Sequence, residues 1–75
     1  MIGDVIIKYI FEVTGKNVDD IGISFTELAI DSLDYAQIVI LTEHELNTNV
    51  LEKNISWNEI KSIGDLIGVF ELNGK

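Results

Sequence analysis

The chain has no cysteine and no proline. Without cysteine there is no disulfide, no thiolate metal site and no cysteine nucleophile, so any thiol chemistry has to come from an attached group. Without proline nothing forces a break in a helix, and uninterrupted helices are favoured. Basic residues are scarce, five against thirteen acidic ones, for a formal net charge of -8. Nucleic acid and anionic membrane would both repel such a chain, which suits a partner with a basic patch. Acidity that merely keeps a small protein soluble is the plainer reading of charge taken alone. The uncharged stretch between Asp34 and Glu43 falls far short of the ~20 residues of a membrane span, so no membrane insertion is expected. Asp4, Lys8 and Glu12 interrupt the apolar residues at the start; no secretory leader is expected, and cytoplasmic residence fits.

What is present suits one small domain, residues 1–75. A chain of this length buries about 60% of its unfolded surface, which allows one thin core and hardly an enclosed active site. With 47% hydrophobic residues that core is feasible and disorder is not expected. Ile2, Val5, Ile6, Tyr9, Ile10 and Val13 recur at helical spacing and predict a first helix with one apolar face. Gly15 supplies a left-handed stop, with Lys16 near the negative end of the helix dipole. Residues 16–30 form a long connection studded with Val18, Ile21, Ile23, Phe25, Leu28 and Ile30, as for a loop packed over a core. Ser24 and Glu27 can cap a short turn within it.

A second helix is predicted from near Asp31, as N-cap, to about Leu46, with Ile38, Leu41 and either Tyr35 or Thr42 towards the core. Asn47-Thr48-Asn49 ends it. A short third helix is placed between Asn54 and Ile60, capped by Asn54 or Ser56, and needs tertiary support. Ser62 with Asp65 opens a last helix, along which Ile63, Leu66, Ile67 and Phe70 form the apolar stripe. The expected fold is all-α, a small four-helix bundle with a short third helix.

The informative string is Phe25-Thr-Glu-Leu-Ala-Ile-Asp-Ser-Leu-Asp34. It sets a serine directly after an aspartate where a long loop meets a helix. Free N–H groups and partial positive charge at a helix N-terminus favour a phosphate joined to Ser32. Asp31 and Asp34 can help hold a divalent cation while that phosphate is delivered. Leu33 adds an apolar contact beside the attachment point. No histidine or lysine base is placed next to Ser32, so it reads as an acceptor rather than as a nucleophile activated in its own fold.

Asp31-Ser32-Leu33 resembles the attachment motif of acyl carrier proteins. Asp34-Tyr-Ala-Gln-Ile-Val-Ile-Leu-Thr-Glu-His-Glu-Leu46 resembles that family's acidic recognition helix, and Ser62-Ile-Gly-Asp-Leu66 is similar to the opening of its last helix. The resemblance covers nearly the whole chain. It implies a carrier without catalytic activity, with 4'-phosphopantetheine attached to Ser32 by a holo-synthase and acyl groups borne as thioesters on the arm. It also implies a monomer whose partners are that synthase and acyl-processing enzymes with basic patches. Leu33, Asp34, Ala36, Gln37, Ile40 and Glu43 then form the docking side of the second helix. The chain departs from the family pattern at Ala29, where glycine is usual, at Gln37 and His44, commonly acidic, and at Thr42, usually a core leucine. These departures fit a specialised carrier or simple drift.

Other readings compete. An aminoacyl, peptidyl or D-alanyl carrier would share the motif. An unmodified acidic adaptor that binds a basic partner would share the charge, with Ser32 a plain capping serine. His44 has no second histidine or cysteine to share a metal and reads as a solvated helix residue. Trp57 reads as a core anchor rather than an acyl-pocket wall, and Asp19-Asp20 as a solvated pair. An EF-hand loop from Asp31 fails, because Leu33 and Tyr35 stand where oxygen ligands belong and Ala36 replaces the required glycine.

Overall fold

The computed structural model describes residues 2–50 and 57–73. Its elements are α1 (Ile2–Thr14), α2 (Ser32–Leu46), a single 3-10 turn (Trp57–Glu59) and α3 (Ile63–Asn73). The architecture is all-helical, with three α-helices among the described residues. The part of the expected third helix that is described, from Trp57 onward, is only that 3-10 turn, so four helices are not seen. Its candidate caps Asn54 and Ser56, and the Trp57 side chain, lie outside the described residues. A short segment gains few hydrogen bonds for each residue it fixes, which is why its form depends on its surroundings.

The apolar face of α1 is as predicted from its spacing. Val5, Ile6 and Ile10 are buried, with Ile2, Tyr9 and Val13 packed beside them. Gly15 has φ 76 and donates its N–H to Phe11 O at 2.8 Å, closing α1 with a left-handed residue that glycine adopts without strain. On α2 the core side is rotated from the expected one. Tyr35, Ile38, Val39, Thr42 and Leu46 pack inward at i, i+3, i+4, i+7 and i+11, and Val39 is fully buried while Leu41 is only half-buried. Thr42 is buried completely, and its hydroxyl donates to Ile38 O at 2.8 Å, so the polar group costs little in the core. Ile63, Leu66, Val69 and Phe70 bring α3 into the same core.

Both α2 and α3 approach α1 closely, and all three helices contribute to one core. The loop of residues 16–30 packs against the same core. Phe25 and Ile30 are buried there and Val18, Ile23 and Leu28 partly so, while Ile21, expected over the core, is half exposed. Ser24 and Glu27 make the expected reciprocal cap, the Ser24 N–H reaching Glu27 Oε1 at 3.2 Å and the Glu27 N–H reaching Ser24 Oγ at 3.0 Å. Backbone bonds then clip the loop to the start of α3: Phe25 N to Lys61 O at 2.9 Å, Ile63 N to Ile23 O at 3.3 Å and Gly64 N to Ile21 O at 2.8 Å. No described helix is long and apolar enough to cross a membrane.

Candidate functional site

Ser32 is the first residue of α2, and its exposure follows from how that helix begins. Asp31 is extended (φ -85, ψ 178) and accepts the Asp34 N–H at 2.8 Å, as predicted for the N-cap. Its carbonyl accepts the Tyr35 N–H at 2.9 Å. The Ser32 and Leu33 amides keep no hydrogen bond among the described residues, so two donors and the positive end of α2 face outward beside the Ser32 hydroxyl. An anion joined to that oxygen would sit in a favourable field.

Two residues before Asp31, Ala29 adopts φ 57. Ala29 takes this left-handed conformation although it carries a Cβ, at a cost of roughly 1–2 kcal/mol. It is held by the turn around it, in which Ala29 N donates to Thr26 O at 3.0 Å and Ile30 N to Phe25 O at 3.0 Å. That turn aims Asp31 and Ser32 at the end of α2.

Beside Ser32 opens an apolar cleft of about 200 Å³, lined by Phe25, Ile30, Asp31, Ser32, Tyr35 and Ile60. The Phe25 and Tyr35 rings meet edge to face, centroids 4.9 Å apart. Burial, and secondarily the charge of Asp65, pushes the Tyr35 hydroxyl up to about 12, so it stays protonated at neutral pH. Neither Tyr35 nor Ile60 was singled out as a site residue in the sequence. Tyr35 lies three residues after Ser32, a spacing that puts it beside Ser32 on one side of α2, whereas nothing in the chain places Ile60 there.

The expected docking residues divide. Leu33 (80% exposed) and Ile40 (52%) stand out with Ala36 and Gln37 on one side of α2, an apolar stripe facing solvent. Asp34 is half-buried at the edge of that stripe. Glu43 is half-buried too, and its carboxylate accepts the Val50 N–H, so it secures the chain after α2 rather than standing free on the surface. A larger hollow of about 430 Å³ lies at the C-terminal end of α2, lined by Ile40, Glu43, His44, Asn47, Thr48 and Asn49, away from Ser32. Among the described residues no three histidine or acidic side chains converge to hold a metal ion. Asp20 accepts the Gly22 N–H in a local turn, with Asp19 exposed beside it.

Comparison with family models, with curated proteins and with solved structures gives no match for this chain.

Proposed function

We propose that the chain is a carrier: Ser32 accepts 4'-phosphopantetheine, and the arm bears acyl groups between partner enzymes. The observation that carries this reading is the setting of Ser32, exposed at the N-terminus of α2, beside two outward amides and at the rim of an apolar cleft. In the transfer, the Ser32 hydroxyl loses its proton to a base of the transferase. Its oxygen bonds the phosphorus of coenzyme A next to the pantetheine, and adenosine bisphosphate leaves. The arm supplies a terminal thiol on which an acyl group rides as a thioester. The Ser32 and Leu33 amides would hold the phosphate, and the cleft would take an apolar segment of the tethered group. Tethering raises the local concentration of such a segment to the millimolar range, so even a shallow cleft can hold it part of the time. Leu33, Ala36, Gln37 and Ile40 would meet partner enzymes, with Asp34 at their edge.

The acidic-adaptor reading keeps some support from the same exposed stripe, which would suit a partner helix without any arm. Intact mass separates the two. With coenzyme A, magnesium and a phosphopantetheinyl transferase of broad range, the protein should gain one arm, and Ser32→Ala none. A wild type unchanged by several such transferases favours the adaptor.

A further inference from the structure

The start of α2 is connected to the start of α3 by a path of hydrogen bonds. The Asp65 carboxylate accepts the N–H groups of Lys61 and Ser62, each at 3.1 Å. The Lys61 carbonyl accepts the Phe25 N–H at 2.9 Å, and the Phe25 carbonyl accepts the Ile30 N–H at 3.0 Å. Ile30 immediately precedes Asp31 and Ser32. The chain Asp65–Lys61–Phe25–Ile30 therefore runs without a gap from α3 to the residue before the N-cap of α2. Phe25 also touches α2 through its ring against Tyr35, so one residue joins the two helices by backbone and side chain. The device has a load to bear, because Ala29 within this loop is held left-handed against its preference.

We infer that Asp65 is a positioning residue for the Ser32 junction: by fixing Lys61 it fixes Phe25 and Ile30, and so the presentation of Ser32 to a modifying enzyme. The inference rests on Ser32 as the attachment residue, but its structural half stands without that. The backbone donors of Lys61 and Ser62 hold the Asp65 carboxyl below its ordinary range, consistent with an anion gripping this turn. Other ionisable groups near the path are Lys61, Glu27 and Asp31 on the connecting segments and Tyr35 on α2.

Two measurements test it. In arm transfer by a phosphopantetheinyl transferase with coenzyme A and magnesium, a loosened junction lowers the fraction of carrier molecules in the competent form. Asp65→Ala should therefore raise KM for the carrier ~10-fold with kcat little changed. Asp65→Glu, which restores a carboxylate, should recover most of the loss. Ser62→Ala is the control, since it removes the Ser62 hydroxyl's bonds with Asp65, the 3.1 Å bond from the Asp65 N–H among them, and leaves the carboxylate's grip on the Lys61 N–H. It should leave KM unchanged at a similar drop in melting temperature. Equal KM changes in Asp65→Ala and Ser62→Ala would overturn the inference. The second measurement follows backbone amide shifts from pH 2 to 7 in wild type and in Asp65→Asn. The difference between the two should show Lys61, Ser62, Phe25 and Ile30 titrating together. If Lys61 and Ser62 titrate while Phe25 and Ile30 do not, the connection stops at α3 and the inference is wrong. A wild type that takes no arm defeats the carrier reading instead, and the amide titration then decides the coupling by itself.

Discussion

The two ends of α2 are built in opposite ways. At its C-terminus Asn47 is left-handed (φ 54), its N–H and that of Thr48 return to His44 O and Glu43 O, and the Glu43 carboxylate reaches on to Val50. Main chain and side chain are both used up in holding the helix end. At the N-terminus one side-chain bond, Asp34 N–H to Asp31, secures the first turn, while Ser32 and Leu33 are left exposed. The reciprocal caps of Ser24 with Glu27 and of Ser62 with Asp65 add a return bond from the cap residue's own N–H to the acidic side chain, whereas between Asp31 and Asp34 only the bond from the Asp34 N–H is made. The helix is anchored at one end and presented at the other. The left-handed residue flanking each end differs in the same sense: asparagine tolerates that conformation, and alanine does not.

If the C-terminal end is the anchor, Glu43→Ala should cost most, about 1–2 kcal/mol in a denaturant melt, because it strips a half-buried amide of a charged acceptor. Glu43→Gln should recover part of it. A loss for Glu43→Ala no greater than for an exposed residue such as Gln37→Ala would show that the anchor is elsewhere. The N-terminal counterpart, Asp31→Ala, should cost about 1 kcal/mol, the usual worth of a cap.

The flanking residues invert the sign. Ala29→Gly should stabilise by roughly 0.5–1 kcal/mol, the relief of left-handed strain less the extra freedom glycine gives the unfolded chain. Asn47→Gly should gain no more than a few tenths. Equal gains at both positions would mean that Ala29 is not strained as its φ implies.

The smallest expected effect is on pH dependence. Glu45 lies below its ordinary range because it accepts from Lys8 and Tyr9 across α1 and α2, and Asp65 because it accepts from two amides. A lowered folded-state value means stability present above the unfolded value, about pH 4, and lost as pH falls through the folded one. Glu45→Gln and Asp65→Asn should each lower the melting temperature slightly at neutral pH, where the ionised group contributes, leave it nearly unchanged in acid, and so flatten the acid limb of the profile. Both groups are exposed, so the change should be small and should shrink further in high salt.

Much of this was legible in the chain. Periodicity placed α1 and α3 and most of their core residues, and Ser24/Glu27, the N-cap Asp31 and Ser62/Asp65 marked three turns that cap, because such bonds span three residues and need no distant partner. The exposed place of Ser32 at the start of α2 was legible for the same reason. The exposed side of α2 was legible only in part: Leu33, Ala36, Gln37 and Ile40 are exposed as expected, but Glu43 is committed to Val50. No spacing rule tells a surface carboxylate from one that caps a loop folding back on it. Val39 was missed in favour of Leu41 because α2 carries apolar residues around more than one face, so composition could not say which face turns inward.

The sequence by itself determined that the segments of α1, α2 and α3 are helical, where α1 and α2 end and where α2 and α3 begin, and that a serine stands at the exposed start of α2. These are local matters of hydrogen-bonding groups a few residues apart. Only the tertiary structure decided that α2 meets α3 through Phe25, that Ile60 borders the cleft beside Ser32, and that Ala29 is held left-handed. Each depends on residues brought together from distant parts of the chain, or on a turn that packing holds against local preference.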